Sequence, residues 1–164
     1  MSWSTAEITT LAAQAARGAG APPGQAARFG QVAAVHLTAA RDPSDLERAL
    51  RDLPQGAILT YPLALDRALT KAVKRGDPVR CDLPPGALAQ SYVAALPFAT
   101  ELVWQTGAWA LRVSPDPPAR AAPRRITGCA ALMALMRSHA AQILVPDSAA
   151  SQATGAGAGL TDND

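Results

Sequence analysis

The stretch TELVWQTGAWALRV (Thr100 to Val113) carries the clearest β-sheet signal of the 164-residue chain and decides its fold class. Hydrophobic and polar residues alternate on either side of Thr106 and Gly107, a pair that suits a two-residue turn between antiparallel strands. The pairs that such a turn brings face to face are Trp104 with Trp109, Leu102 with Leu111, and Glu101 with Arg112. Because apolar and oppositely charged cross-strand pairs both stabilise a sheet, the stretch predicts a β-hairpin.

Helical patterns fill the chain before this hairpin. Ser4 and Glu7 form a Ser-x-x-Glu capping box, in which each side chain satisfies a free amide at a helix start. That helix is expected to run to about Arg17, with Gly18 as its C-cap. Three more helices are predicted: one after Pro23 to about Ala40, one from Asp42 to before Pro54, and one from near Pro62 to Gly76.

The remaining segments give shorter signals. Residues 79–83 alternate and predict a short strand, which Pro84-Pro85-Gly86 closes. Residues 92–96 fit a strand or a helix equally well. A helix is predicted from Gly128 to about Ala141, and residues 143–145 predict a last strand.

Together these elements predict an α+β fold. An N-terminal helical half (residues 4–75) is expected to pack against a small, mostly antiparallel sheet (residues 79–113), and a C-terminal helix is expected to cover that sheet. Residues 1–153 are predicted to form a single domain. Residues 154–164 form a glycine-rich acidic tail, which either packs on the domain or extends into solvent.

The composition limits the classes of partner. Fifteen Lys and Arg against thirteen Asp and Glu leave a net charge of +2, too small a surplus for a nucleic-acid surface. No stretch reaches the roughly eighteen uninterrupted apolar residues that suggest a transmembrane helix. Cys81 and Cys129 form neither a disulfide framework nor a zinc site. The sequence therefore predicts a cytoplasmic protein that binds neither nucleic acid nor a membrane and uses no cofactor.

The tail GAGAGLTDND (residues 155–164) contains two candidate binding features. Gly155, Gly157 and Gly159 resemble a phosphate-binding loop, but such a loop requires a following helix, and only five residues follow Gly159. Asp162 and Asp164 are candidate ligands for a divalent cation, because carboxylates are hard oxygen ligands. The alternative for these aspartates is a solvated acidic end that aids solubility.

Two histidines and one cysteine are the candidates for chemistry. His36 and His139 are the histidines of the chain, and imidazole can act as a general base near neutral pH. His139 is the catalytic candidate, although both fall on or beside apolar helix faces, where the more usual role is that of a structural core or helix-end histidine. Cys129 lies near a predicted helix start, where the helix dipole is expected to lower the pKa of its thiol.

The segment LAAQAARGAGAPPGQAARFGQVA (Leu11 to Ala33), taken with SAASQATGAGAGLTDND (residues 148–164), resembles a bacterial family of uncharacterised proteins, domain of unknown function 3726. The resemblance covers about forty residues at the two ends of the chain. It implies no activity, but it implies that the glycines after Arg17 and those of the tail belong to one recurring arrangement.

That arrangement suggests a binding surface formed by both ends of the chain. Gly18 and Gly20 would let the tail backbone approach closely, since glycine has no Cβ. Arg17 could then hold Asp162, Asp164 or the terminal carboxylate in a charge-assisted pair. The hypothesis is that the tail packs as a strap against the end of the first helix.

Two functions remain open at this point. The first is a non-catalytic binding or accessory module with an unidentified partner, which could also associate as a homo-oligomer. The second is a small-molecule enzyme that uses Arg17, His139 and the tail carboxylates. The binding module is favoured because no nucleophile or acid–base pair occurs at a workable spacing.

Overall fold

The computed structural model describes residues 2–75, 78–114, 116–118 and 125–143, with the side chains of 73–75 excepted. The helices in this part of the chain are α1 (Thr5–Gly18), α2 (Pro23–Thr38), α3 (Pro43–Arg51), α4 (Ala57–Arg75), α5 (Ala87–Ala94) and α6 (Ala130–Ala140). The strands are β1 (Val79–Arg80), β2 (Thr100–Gln105) and β3 (Ala108–Val113), and a 3-10 turn spans Ala141–Ile143. The predicted α+β class is confirmed.

The start of α1 is capped as predicted. The Glu7 amide donates to Ser4 Oγ at 3.2 Å, and the Ser4 amide donates to Glu7 Oε2 at 2.7 Å. The end of the helix differs from the prediction, because Gly18 lies inside the helix and Ala19 is the C-cap. The left-handed position just beyond is Gly20, with φ of +98°, which a glycine adopts without strain.

The helix α4 begins five residues before the predicted start near Pro62. Gly56, with φ of +81°, directs the chain into the helix, and its carbonyl oxygen accepts from the Thr60 amide at 3.1 Å. Pro62 therefore lies within the helix, where it removes one main-chain hydrogen bond near the N-terminal end. A proline disrupts a helix most when it lies deeper inside it, so Pro62 can lie near the start of α4 without ending the helix. The prediction placed the start of α4 too late because it used the position of Pro62 alone.

The predicted hairpin is confirmed in its register. Thr106 and Gly107 form the turn, with φ of +48° and +76°, and each of the three predicted pairs lies face to face. The Arg112 guanidinium donates to Glu101 Oε2 at 3.5 Å on the exposed face. The strand order is β1-β3-β2, and β1 is shorter than the predicted strand over 79–83.

Helices cover one face of this sheet, but the C-terminal helix that was predicted to do so is not among them. α4 contacts β1 and β3, and α5, the helix that includes part of the ambiguous segment 92–96, contacts β2. The C-terminal helix α6 packs mainly on α1 and α3 instead, so the expectation that it covers the sheet is wrong. Ile143 lies in the 3-10 turn and not in a strand, and residues 144–145 lie outside the described part.

Two hydrophobic clusters form the core, and α2 contributes to both. Phe29 of α2 lies in the first cluster, among side chains of α1, α3 and α6. Val32, one turn along, lies in the second cluster with Leu65 of α4 and Leu111 of β3. Since α2 carries a buried side chain into each cluster, it fixes the helical half relative to the sheet.

Small residues set the distance between the helices of the first cluster. Ala12, Ala16 and Ala26 are fully buried between α1 and its neighbours. At Gly30 a Cβ atom would collide with the Thr9 carbonyl oxygen, so the backbones of α1 and α2 lie in direct contact there. This contact requires glycine, because any larger side chain separates the two helices.

We predict that Gly30→Ala lowers the free energy of unfolding by about 1–3 kcal/mol, the usual cost of overpacking a core. The matched control is Gly24→Ala in the same helix, where a Cβ atom meets nothing within 4 Å. That variant is expected to leave stability unchanged or to raise it by up to about 1 kcal/mol. Urea unfolding measures both, and equal effects of the two substitutions would contradict the packing described here.

Candidate functional site

The residues proposed from the two ends of the chain are only partly described. Gly18 meets the main-chain carbonyl of His139, because the C-terminal ends of α1 and α6 pack together. Arg17 and Gly20 are exposed near this contact. Gly155, Gly157, Gly159, Asp162 and Asp164 lie outside the described residues, so the strap hypothesis and the cation site stay predictions.

The contact between Gly18 and His139 is a packing contact between main chains. The His139 side chain is partly buried, and its Nδ1 atom has no hydrogen-bond partner within the described residues. A catalytic base is normally oriented by a second group that bonds its other ring nitrogen. In the described part of the chain, the main chain of His139 therefore lies against Gly18, and its side chain has no acid–base partner.

The second histidine, His36, lies fully buried at the junction of three helices. Its Nε2 atom is 2.8 Å from the main-chain oxygen of Asp42, the N-cap of α3. Because a carbonyl oxygen only accepts, Nε2 carries the proton and donates it. Nδ1 lies 2.9 Å from Ser91 Oγ of α5, and in the neutral ring it accepts the proton of that hydroxyl.

Arg41 completes this buried group of polar atoms. Its Nη1 donates to Ser91 Oγ at 2.5 Å, and Ser91 is fully buried. The serine proton also has a second acceptor, the Ala87 carbonyl oxygen at 2.9 Å. Ser91 is held by these bonds and inaccessible, so the pair of Ser91 and His36 does not act as an exposed nucleophile and base.

Burial lowers the pKa of His36 below its ordinary value of 6.5, and the nearby Arg41 charge acts in the same direction. The hydrogen bond to the Asp42 carbonyl and the charge of Asp45 oppose this shift in part. Burial prevails because an imidazolium loses its hydration when it is enclosed by protein. The ring is therefore neutral at pH 7 in the folded chain.

Both cysteines are buried free thiols without a catalytic environment. Burial raises the pKa of Cys81 and that of Cys129, the residue just before α6. The expectation that the pKa of the Cys129 thiol is lowered is wrong, because burial raises it and a main-chain hydrogen bond at Cys129 offsets this rise only in part.

The polar groove of the described chain lies elsewhere, between α3, α4 and α5. Its volume is about 350 Å³, and we call it the α3–α5 groove. The lining residues with polar side chains are Asp45, Arg48, Asp52, Thr60 and Tyr61, and residues 86–89 at the start of α5 also line the groove. A cavity of this size with several converging polar groups is typical of a small-molecule site.

The lining of the groove carries charges of both signs, and Arg48 and Asp45 form an ion pair at 3.6 Å. The α5 helix begins at Gly86 without a side chain that caps its first amides, so these amides and the helix dipole favour a negative group. Asp45 and Asp52 favour a positive group or a donor. Burial, followed by the charge of Asp45, raises the pKa of Tyr61, so its hydroxyl stays protonated and can donate.

A second aromatic ring packs against Tyr61, one of the residues that line the groove. The rings of Tyr61 and Tyr92 meet edge to face, with centroids 5.4 Å apart and planes at 70°. Tyr92 is itself buried, and burial raises the pKa of its hydroxyl. This aromatic contact holds Tyr61 in position between α4 and α5.

The α3–α5 groove could not be predicted directly, since its residues come from three separate segments of the chain. One local signal was present: Pro84-Pro85-Gly86 stands before Ala87–Ala94 without a Ser, Thr, Asp or Asn to cap it.

Comparisons with known proteins give no relative: no family model, no curated protein and no solved structure matches the chain. The resemblance to domain of unknown function 3726 therefore stays a prediction. Across the described residues, no helix is both long and apolar enough to cross a membrane. Within the same residues, no group of three or more His, Cys, Asp and Glu could hold a metal ion.

We predict that the free energy of unfolding falls as the pH is lowered from about 7 towards 5. Since the pKa of His36 is lower in the folded chain, the unfolded chain binds a proton first, and stability is lost below its ordinary value of 6.5. The slope reaches at most about 1.4 kcal/mol per pH unit from this residue. Urea unfolding at each pH measures it.

Two variants show which histidine causes this pH dependence of stability. His36→Gln is expected to remove the loss between pH 7 and 5, whereas His139→Gln leaves the contribution of His36 in place. The carboxyl groups whose pKa the fold lowers, Glu7 and Asp42, act in a more acidic range. A wild-type stability that stays flat from pH 7 to 5 would show that His36 titrates normally.

Proposed function

We propose that the protein is a non-catalytic binding module and that the α3–α5 groove holds its ligand, a small polar molecule. The observation that carries this proposal is the convergence of charged and aromatic side chains with uncapped helix amides around one cavity of about 350 Å³. The converging groups come from separate elements, and they leave room for a guest of a few heavy atoms.

The charges of the groove suggest which chemical groups the ligand carries. A carboxylate or another small anionic group suits the first amides of α5, with the exposed Arg48 guanidinium nearby. An ammonium group suits the carboxylates of Asp52 and of Asp45, the latter 3.6 Å from the Arg48 guanidinium, and the Tyr61 ring offers an aromatic wall to it. A small zwitterion, such as a free amino acid, combines both groups.

The positions of the reactive side chains support binding over catalysis. His36, Ser91, Cys81 and Cys129 are buried, and none of them lines the α3–α5 groove. The alternative, an enzyme that uses Arg17, His139 and the tail carboxylates, needs an acid–base pair at the ends of α1 and α6. Within the described residues, His139 has no hydrogen-bonded partner for that role.

A cytoplasmic location belongs to the same proposal. Cys81 and Cys129 are free thiols, and each lies in a different hydrophobic cluster of the core. Proteins of oxidising compartments more often pair such thiols in disulfides. The small net charge of +2 supports a small-molecule ligand over a nucleic acid.

We predict that filling the groove abolishes ligand binding without unfolding the chain. Ala87 lines the groove at the start of α5, whereas Ala94 at the other end of the same helix is exposed and lies outside it. Ala87→Phe is therefore expected to block binding, and Ala94→Phe adds the same bulk as a matched control. The probes are the free L-amino acids, acetate, methylammonium and inorganic phosphate, each titrated while the thermal midpoint is recorded.

At a probe concentration of 100 times its Kd, the expected stabilisation is about 2.7 kcal/mol in the wild type and in Ala94→Phe. Ala87→Phe is expected to show none. The amides of residues 86–89 should shift in NMR spectra of the wild type as the probe binds. The proposal fails if no probe stabilises the wild type, or if Ala87→Phe responds as strongly as Ala94→Phe.

A further inference from the structure

The strand β2 forms an open edge of the sheet within the described residues. It pairs with β3 along one side, and the sheet order β1-β3-β2 leaves its other side without a strand. Around a two-residue turn, Gln105 and Ala108 exchange main-chain hydrogen bonds, and the exchange recurs at every second residue. The amides of Thr100, Leu102 and Trp104 therefore point to the open edge.

The third strand checks this assignment independently. By the same alternation, Trp109 of β3 directs its main-chain groups away from β2. Its carbonyl oxygen indeed accepts from the Cys81 amide, just after β1, at 2.8 Å. On β3, the main-chain groups that point away from β2 are thus paired on the β1 side of the sheet. The outward amides of β2 are the corresponding groups on the opposite edge.

The open edge lacks the features that usually prevent strands from pairing. Natural edge strands are protected by proline, lysine or a bulge. β2 has the sequence TELVWQ, pairs with β3 without interruption over six residues, and carries one charge, Glu101. None of its side chains is buried, and Trp104 is 61 % exposed. An exposed apolar edge of this kind is a template for another strand.

We propose that this edge binds a second copy of the chain, with the two β2 strands antiparallel about a twofold axis at Leu102. In this register the outward amides of the two strands face each other, and Leu102 of one copy meets Leu102 of the other. Glu101 lies opposite Val103 of the second copy, so no like charges meet. The result is a continuous six-stranded sheet with a self-complementary interface.

The charge of Glu101 favours this register over its neighbours. Moving one strand by two residues in one direction places Glu101 directly opposite Glu101 of the second copy, and like charges in that position repel. Moving it the other way also pairs five residues of each strand, but Thr100 then lies against the turn of the second copy, and only Leu102 and Trp104 of the outward residues are paired. The register at Leu102 pairs all three outward residues of each strand and avoids repulsion, and it places Thr100 beside the exposed Trp104 ring of the other copy.

The test uses two substitutions at Val103, whose side chain lies on the face opposite to Leu111. Val103→Glu would place a carboxylate opposite Glu101 of the other copy at two symmetric positions and weaken association. Val103→Lys removes the same apolar group but places an ammonium opposite Glu101. Sedimentation velocity over a range of concentrations gives Kd for each, with circular dichroism and thermal unfolding as controls of folding.

We expect the wild type to dimerise and Val103→Lys to bind itself at least about tenfold more tightly than Val103→Glu. Hydrogen exchange on the wild type needs no variant: exchange at the Leu102 amide should slow as the concentration rises, while the Val103 amide, already bonded to β3, does not change. A wild type that stays monomeric up to about 1 mM overturns the proposal. So do equal Kd values of the two variants, a tighter Val103→Glu, or a Leu102 exchange rate that is independent of concentration.

Discussion

The fold depends on the buried hydrogen bonds of His36. One imidazole ring joins the end of α2 to the N-cap of α3 through Asp42, and to the middle of α5 through Ser91. A buried polar group that loses its partner costs about 1–3 kcal/mol, so the three elements are held in one relative position. Two of them, α3 and α5, form walls of the α3–α5 groove.

The neutral state of His36 is part of this constraint. In the neutral ring the Ser91 proton goes to Nδ1, and Arg41 donates to the serine oxygen from the other side. In an imidazolium, Nδ1 would become a donor, and the serine proton would move to the Ala87 carbonyl. That carbonyl belongs to the first turn of α5, so the protonation state of a core residue is connected to the end of the helix that lines the groove.

Close packing of small residues gives α2 its central place. Gly30 lets α2 lie directly on α1, and Gly18 lets α1 lie directly on α6. Both clusters contain buried residues of α2, and α4 also contributes to both, through Ile58 in the first cluster and Leu65 in the second. The chain reaches this arrangement with 4 % aromatic residues, because alanine and glycine bring main chains close enough to replace bulky anchors.

Features specified by neighbouring residues could be predicted from the sequence, and features formed by distant residues could not. The hairpin register follows from Thr106 and Gly107, and the capping box follows from Ser4 and Glu7, so both were predicted correctly. The position of α6 depends on the glycine contact with α1, which no local pattern contains. The α3–α5 groove likewise combines α3, α4 and α5, and His36 gave no sign of Ser91, 55 residues away.

The most direct test of this account is the tautomer and charge of His36, read from the ¹⁵N chemical shifts of its imidazole ring at pH 7. The hydrogen bonds to Asp42 and Ser91 require a neutral ring that is protonated at Nε2 and accepts at Nδ1. Nitrogen shifts of a neutral Nε2-protonated ring are the predicted result. A ring protonated at Nδ1 alone, or an imidazolium at pH 7, would contradict the placement of α3 and α5 around this residue.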